Sequence, residues 1–214
     1  MIYLYLFLLI FSFYLLHVNT FVGIIFSTIA IYLVAFRDEL GKKIKNRSIN
    51  DRQDGINKFL ENITILSGKA RELGVSLLVE NNVLSYNNFR EFDADPLLMT
   101  RPEECADIMK NTPDNVNMLV DVAHLKVSSN SLSYNASDMF HICNPWIKAY
   151  HFSDNDGLSD SNDTFDEKAW FWPFIKHDLD YYSIEVYNIN IKEIKKLIRL
   201  VDRKLYHKVL PQTI

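Results

Sequence analysis

Charge is missing from the first 36 residues: MIYLYLFLLIFSFYLLHVNTFVGIIFSTIAIYLVAF contains no Lys, Arg, Asp or Glu. A secretory signal needs a positive charge ahead of an apolar core of about 7–15 residues, and this run has neither the charge nor the brevity. A transmembrane helix takes about 20 apolar residues. The run therefore reads as one long membrane helix or a helical hairpin, with His17-Val18-Asn19-Thr20 as the natural break. Buried barrel strands are also continuously apolar. They alternate with helices that carry a charged face, however, and no such face exists here. Cysteine is scarce as well. Cys105 and Cys143, the only two, lie in unrelated segments without metal-site spacing. They exclude a disulfide scaffold and point to a reducing compartment. There is no basic excess either: the net charge is −4, which leaves no nucleic-acid footprint. Repeats and low-complexity tracts are absent.

After Phe36 the composition becomes that of an ordinary soluble domain. Lys42, Lys43, Lys45, Arg47 and Arg52 crowd just beyond the apolar run. By the positive-inside rule this flank stays in the cytoplasm; the alternative is a solvated loop. The expectation is a chain of two parts. Residues 1–36 attach to a membrane and residues 37–214 form a domain on the cytoplasmic side. Without a true span the protein is simply cytoplasmic.

Within 37–214, periodicity separates helices from strands. Ile56, Phe59, Leu60, Ile63, Leu66, Ala70 and Leu73 follow helical steps over 51–73, and Gly74 fits the residue just past the end. Strands are expected at 75–79, 117–122, 147–152 and 182–186. Helices are expected at 102–110, 134–143 and 191–205, with a long polar loop over 153–168 and an aromatic segment over 169–177. Strands alternating with helices predict an α/β fold with a parallel sheet.

Each expected strand places a metal-ligand residue at or near its C-terminal end: SLLVE ends on Glu80, NMLVD on Asp121, IKAYHF carries His151, and YSIEVY carries Glu185. In a parallel α/β barrel such ends converge on one face. A mixed oxygen and nitrogen set of this kind suits Mn²⁺, Mg²⁺ or Co²⁺ with open water positions, and Zn²⁺ also. For any single strand-end carboxylate the alternative is a helix N-cap. His124, just beyond the second strand, is either a ligand or a substrate contact. Asn81 and Asn82 suit sugar hydroxyls but are equally turn formers. Trp170-Phe171-Trp172 suits either the wall of a sugar site or core packing.

VENN, DVAH, YHFSDNDG and SIEVY, which together lie within about residues 50–205, resemble the motifs of the xylose-isomerase-like barrel superfamily. That superfamily includes sugar-phosphate isomerases and epimerases, inosose dehydratases and the endonuclease IV type. The resemblance implies one divalent ion on Glu80, Asp121, His151 and Glu185, with His124, Asn82 and Asp160 beside the substrate. In the epimerase branch the two glutamates, Glu80 and Glu185, also serve as acid and base on opposite faces of the sugar. Two departures stand out. Relatives carry an Asp-x-His pair where this chain has Asp160-Ser161-Asn162, and glycines where it has Asp166-Glu167-Lys168. Without that histidine a trinuclear nuclease is not expected. A complete barrel also takes about 250 residues, so residues 37–214 correspond to a partial TIM barrel, approximately strands four to eight.

The expected chemistry is proton transfer next to the carbonyl of a small sugar or sugar phosphate. The rival is a truncated, catalytically silent, membrane-associated remnant of such a barrel. An incomplete barrel has open sheet edges, and these invite pairing with other chains, including copies of itself as a homo-oligomer.

Overall fold

The structure, a computed structural model, describes residues 51–206. The apolar run and its reading as a membrane helix lie outside the described residues. Among the described residues, no helix is long and apolar enough to cross a membrane. The chain divides between Arg47 and Ser48 into two units, and all described residues belong to the second.

The elements run α1 (Arg52–Glu72), β1 (Leu77–Glu80), α2 (Tyr86–Phe92), α3 (Pro102–Lys110), β2 (Val116–Asp121), α4 (Val122–Leu132), α5 (Ser137–Ile142), β3 (Ile147–Phe152), β4 (Tyr181–Ile184) and α6 (Ile191–Tyr206). A 3-10 turn at Trp172–Phe174 lies between β3 and β4. The strands form one sheet in the order β1-β2-β3-β4, and every pairing is parallel. The α/β class and the parallel sheet agree with the sequence expectation.

Local chemistry sets the boundaries. Asp51 caps α1 by accepting the Asp54 N–H at 3.0 Å. The helix ends at Leu73, and Gly74 turns away with φ +68°, a left-handed conformation that glycine adopts without steric cost. Pro102 opens α3, where a missing N–H costs nothing. Arg52 bridges the start of α1 to α3 through Glu104, 2.5 Å away, and to the Leu97 carbonyl at 2.7 Å. Asn190 and Glu193 cap α6 reciprocally: Asn190 accepts the Glu193 N–H at 3.1 Å, and Glu193 accepts the Asn190 side-chain amide at 2.7 Å.

The sequence reading lacks two helices, α2 and α4. The start of α4 falls within the expected strand 117–122 because it follows β2 with no intervening loop. Its sequence, VAHLKVSSNSL, also lacks an apolar stripe. Val122, Ala123, Leu125 and Val127 are buried together with Ser128, Ser129 and Ser131, so nearly the whole circumference is covered.

Alternation and register give the sheet two unlike faces. Met118, Val120, Tyr150 and Phe152 share the face that enters the main core with residues of α3, α4 and α6. Phe152 sits at the centre of an aromatic group. Its ring stacks 5.4 Å from Phe171 and 6.0 Å from Tyr182, with Trp172 at 5.4 Å. Trp170-Phe171-Trp172 is thus a packing element over β3. The opposite face carries Leu78, Glu80, Leu119, Asp121, His151 and Ser183, with Glu185 following in phase just beyond β4.

Candidate metal centre

Glu80, Asp121, His151 and Glu185 meet at the C-terminal end of that second face. Each offers one ligand atom, and the four atoms lie within 4.8 Å of one another. Neighbouring strands are about 4.8 Å apart, so a flat four-stranded sheet would hold its outer strands about 14 Å apart. The side chains of β1 and β4 therefore reach inward across the two central strands. Glu80 is the last residue of β1 and Asp121 the last of β2, where Asp121 pairs with His151 of β3. Glu185 follows β4 directly, and its N–H donates to the Phe152 carbonyl at 3.0 Å, which carries the ladder past the end of the strand.

Three carboxylates converge on one imidazole in the cluster. His151 Nδ1 lies 2.9 Å from Glu185 Oε2, 3.3 Å from Glu80 Oε1 and 3.7 Å from Asp121 Oδ2. None of these approaches has hydrogen-bond alignment, and both His151 Nδ1 and Asp121 Oδ2 are buried without a hydrogen-bond partner. The facing Glu80 carboxylate is the main influence raising the His151 pKa, and burial opposes it. In return His151 holds Glu80 below its ordinary value, against burial. Burial pushes Asp121 up to about 6, although the nearby His124 pulls the other way. Two buried ligand atoms without partners, among converging carboxylates, are what a cation would satisfy. By donor set and spacing these four residues can hold a metal ion.

Asp121 serves two elements at once. Its Oδ1 accepts the His124 N–H at 2.8 Å and caps α4, while Oδ2 faces the cluster. Both expectations for a strand-end carboxylate, N-cap and ligand position, therefore apply to the same residue. His124 stands in the first turn of α4. Its Nε2 is 3.3 Å from Asp160 Oδ2, and its Nδ1 is 3.0 Å from the Asn81 carbonyl and 3.5 Å from Glu80 Oε1. Burial lowers the His124 pKa, but Asp160, Asp121 and the Asn81 carbonyl outweigh it and raise it to about 9. His124 is thus a cation beside the cluster at neutral pH.

A pinned loop delivers Asp160 to His124. Lys126 reaches back from α4 to Asp154 at 2.6 Å and to the Asn155 carbonyl at 2.5 Å. Buried Asn155 donates to the Ala123 carbonyl at 2.9 Å and accepts the Gly157 N–H at 2.8 Å. Gly157 turns with φ +79°, and a Cβ there would collide with the Asn130 amide. Asn82 is not drawn into this group. It is exposed, and its side chain accepts the adjacent Val83 N–H at 3.2 Å.

Sequence reasoning missed two residues. Asn81, which the sequence offers with Asn82 as a sugar contact or a turn former, is 1 % exposed and works on the backbone. Its Oδ1 accepts the Asp121 N–H at 2.8 Å, and its Nδ2 donates to the Asp121 carbonyl at 3.1 Å. The side-chain amide thus imitates a peptide group and extends the β1–β2 ladder to the ligand itself. Only its place next to Glu80 hinted at this. Tyr187, within the same SIEVY motif as Glu185, donates its hydroxyl to Glu185 Oε1 at 3.3 Å. Asn81→Ala should cost about 1–3 kcal/mol of stability by leaving both Asp121 backbone groups unpaired in the interior. Metal affinity should fall about 10–100-fold, as for other residues that orient ligands. Denaturant titration and metal-binding calorimetry on the same sample check the two effects.

Comparison with protein-family models, with curated proteins and with solved structures returned no match.

Proposed function

We propose that this chain is a metal-dependent isomerase or epimerase of small sugars or sugar phosphates, built as a partial xylose-isomerase-like barrel. One observation carries the reading: four consecutive parallel strands each bring a ligand-type side chain to one point at their C-terminal ends. The uniform strand order, without reversal, supports a barrel wall. A divalent ion held by Glu80, Asp121, His151 and Glu185 would supply Lewis acidity toward carbonyl and hydroxyl oxygens.

The chain's own residues have distinct tasks. Glu80 and Glu185 approach the cluster from the two outer strands, β1 and the end of β4. One carboxylate removes the proton next to the carbonyl and the other returns one from the opposite face. His124, held between Asp160 and the Asn81 carbonyl, places positive charge beside the substrate oxygens. Tyr187 steadies Glu185.

A second reading, a catalytically silent relative of such enzymes, has its own support. On the site face Leu78 is 36 % exposed and Tyr181 65 %, and β1 and β4 are open edges among the described residues. Catalysis needs a preorganised and walled pocket.

Proton exchange into deuterated water separates the two readings, with a panel of ketoses and ketose phosphates as substrates. The expected result is slow, metal-dependent exchange that disappears in Glu185→Gln. A metal-loaded chain with no exchange on any substrate would establish the silent reading. A chain that binds no divalent ion would overturn the enzymatic reading and leave only the silent one.

A further inference from the structure

Helix α6 presents a row of cations that the sheet and its site do not use. Its inner face, Leu197, Leu200, Val201 and Leu205, is buried in the core. On the outer face Lys192, Lys195, Lys196 and Arg199 fall at i, i+3, i+4 and i+7, one continuous stripe. All four are exposed, and among the described residues none has a side-chain hydrogen bond or ion pair. Further along, Arg203 is paired with Glu167 at 2.7 Å, and Lys204 lies over the Trp172 ring. Beside the stripe stand Ile191, 68 % exposed, Ile198, 47 %, and Tyr206, 63 %. Asp202 is the one acid of α6 within this arc, and Glu193, occupied in capping Asn190, borders Lys196 in a cleft that Asp166 and Glu167 also line.

We infer that the outer face of α6 docks on an anionic lipid surface. The charge pattern selects this partner. The chain as a whole carries −4, so four unpaired cations on one helix face are a local feature against the general sign. A stripe of Lys and Arg bordered by exposed Ile and Tyr matches a bilayer interface, where cations meet headgroup phosphates and apolar side chains enter the acyl boundary. Nucleic acid would use the cations but not the isoleucines. The helix is held to the core through its opposite face, so docking requires no unfolding.

The test uses the full chain with Ile198→Cys carrying an environment-sensitive fluorophore. Cys105 and Cys143 are both fully buried and do not compete for the label. The label reads α6 alone, whatever the rest of the chain does at the membrane. Vesicles of phosphatidylcholine with phosphatidylserine should shift its emission to the blue and allow quenching by brominated lipid. Phosphatidylcholine alone should not, and high salt should reverse the effect. Reversing Lys192, Lys195, Lys196 and Arg199 to Glu should weaken the response about fivefold for each cation, with an unchanged circular dichroism spectrum. An equal response on neutral vesicles, no response on anionic ones, or a stronger response to duplex DNA would each overturn the inference.

Discussion

Asp121→Asn should lower divalent-metal affinity by at least about a hundredfold, beyond what the loss of an orienting partner costs. The substitution is chosen for what it preserves. Asn caps helices as well as Asp does, so the bond to the His124 N–H and the start of α4 survive. Only the negative charge and the Oδ2 ligand atom are lost. His151→Ala should weaken binding to a similar degree. His141→Ala should not, because His141 lies on α5 with its ring edge-on to Phe174, away from the cluster. Calorimetric titration with Mn²⁺ and Zn²⁺ measures all three, and equal affinities would remove the metal centre. The pH dependence has a defined sign. Metal competes with protons on its ligands, and both the buried Asp121, at about 6, and His151, raised by Glu80, hold protons above their ordinary range. Affinity should therefore rise steeply as pH increases through 6 and the region above it.

Phe152→Ala should destabilise the fold by about 3–5 kcal/mol, the usual cost of an aromatic cavity in a core. Phe152 is fully buried between Tyr150, Phe165, Phe171, Trp172 and Tyr182. These partners come from β3, β4 and the segment that covers them, so no single neighbour can collapse into the space. Phe152→Leu should cost much less. The guanidinium midpoint of each variant distinguishes them, and a small loss for Phe152→Ala would mean that the aromatic group is not the keystone of this half of the core. His151, one residue earlier, points to the other face, so the same strand joins core strength to site geometry.

Much of this arrangement was legible from residue types alone. The four strands were expected at 75–79, 117–122, 147–152 and 182–186, and they occur at Leu77–Glu80, Val116–Asp121, Ile147–Phe152 and Tyr181–Ile184. Short apolar runs ending in a carboxylate or imidazole give themselves away because apolar burial and a polar terminus conflict unless the strand end faces a site. Helix α4 hid because burial on nearly every side erases amphipathic periodicity. Asn81 hid for a different reason. A side chain that replaces a peptide group leaves no pattern in sequence, since its meaning lies in the strand beside it and 40 residues away. The aromatic triplet fitted a sugar wall and a core equally well, and only three-dimensional packing on Phe152 decided between them.

The divided carboxylate of Asp121 makes the site and the helix behind it thermodynamically inseparable. One oxygen holds the first turn of α4 and the other faces the cluster. A ligand drawn to Oδ2 fixes the rotamer that Oδ1 needs, so occupancy of the cluster and order in the first turn reinforce each other. That turn carries His124, and its Lys126 clamps the loop that brings Asp160. A single acidic side chain thus acts as a hinge pin between a strand, a helix and a loop. Its protonation near pH 6 withdraws charge from all three at the same moment; because burial makes the folded chain hold that proton more tightly than the unfolded one does, acid should empty the cluster of cation without unfolding the helix behind it.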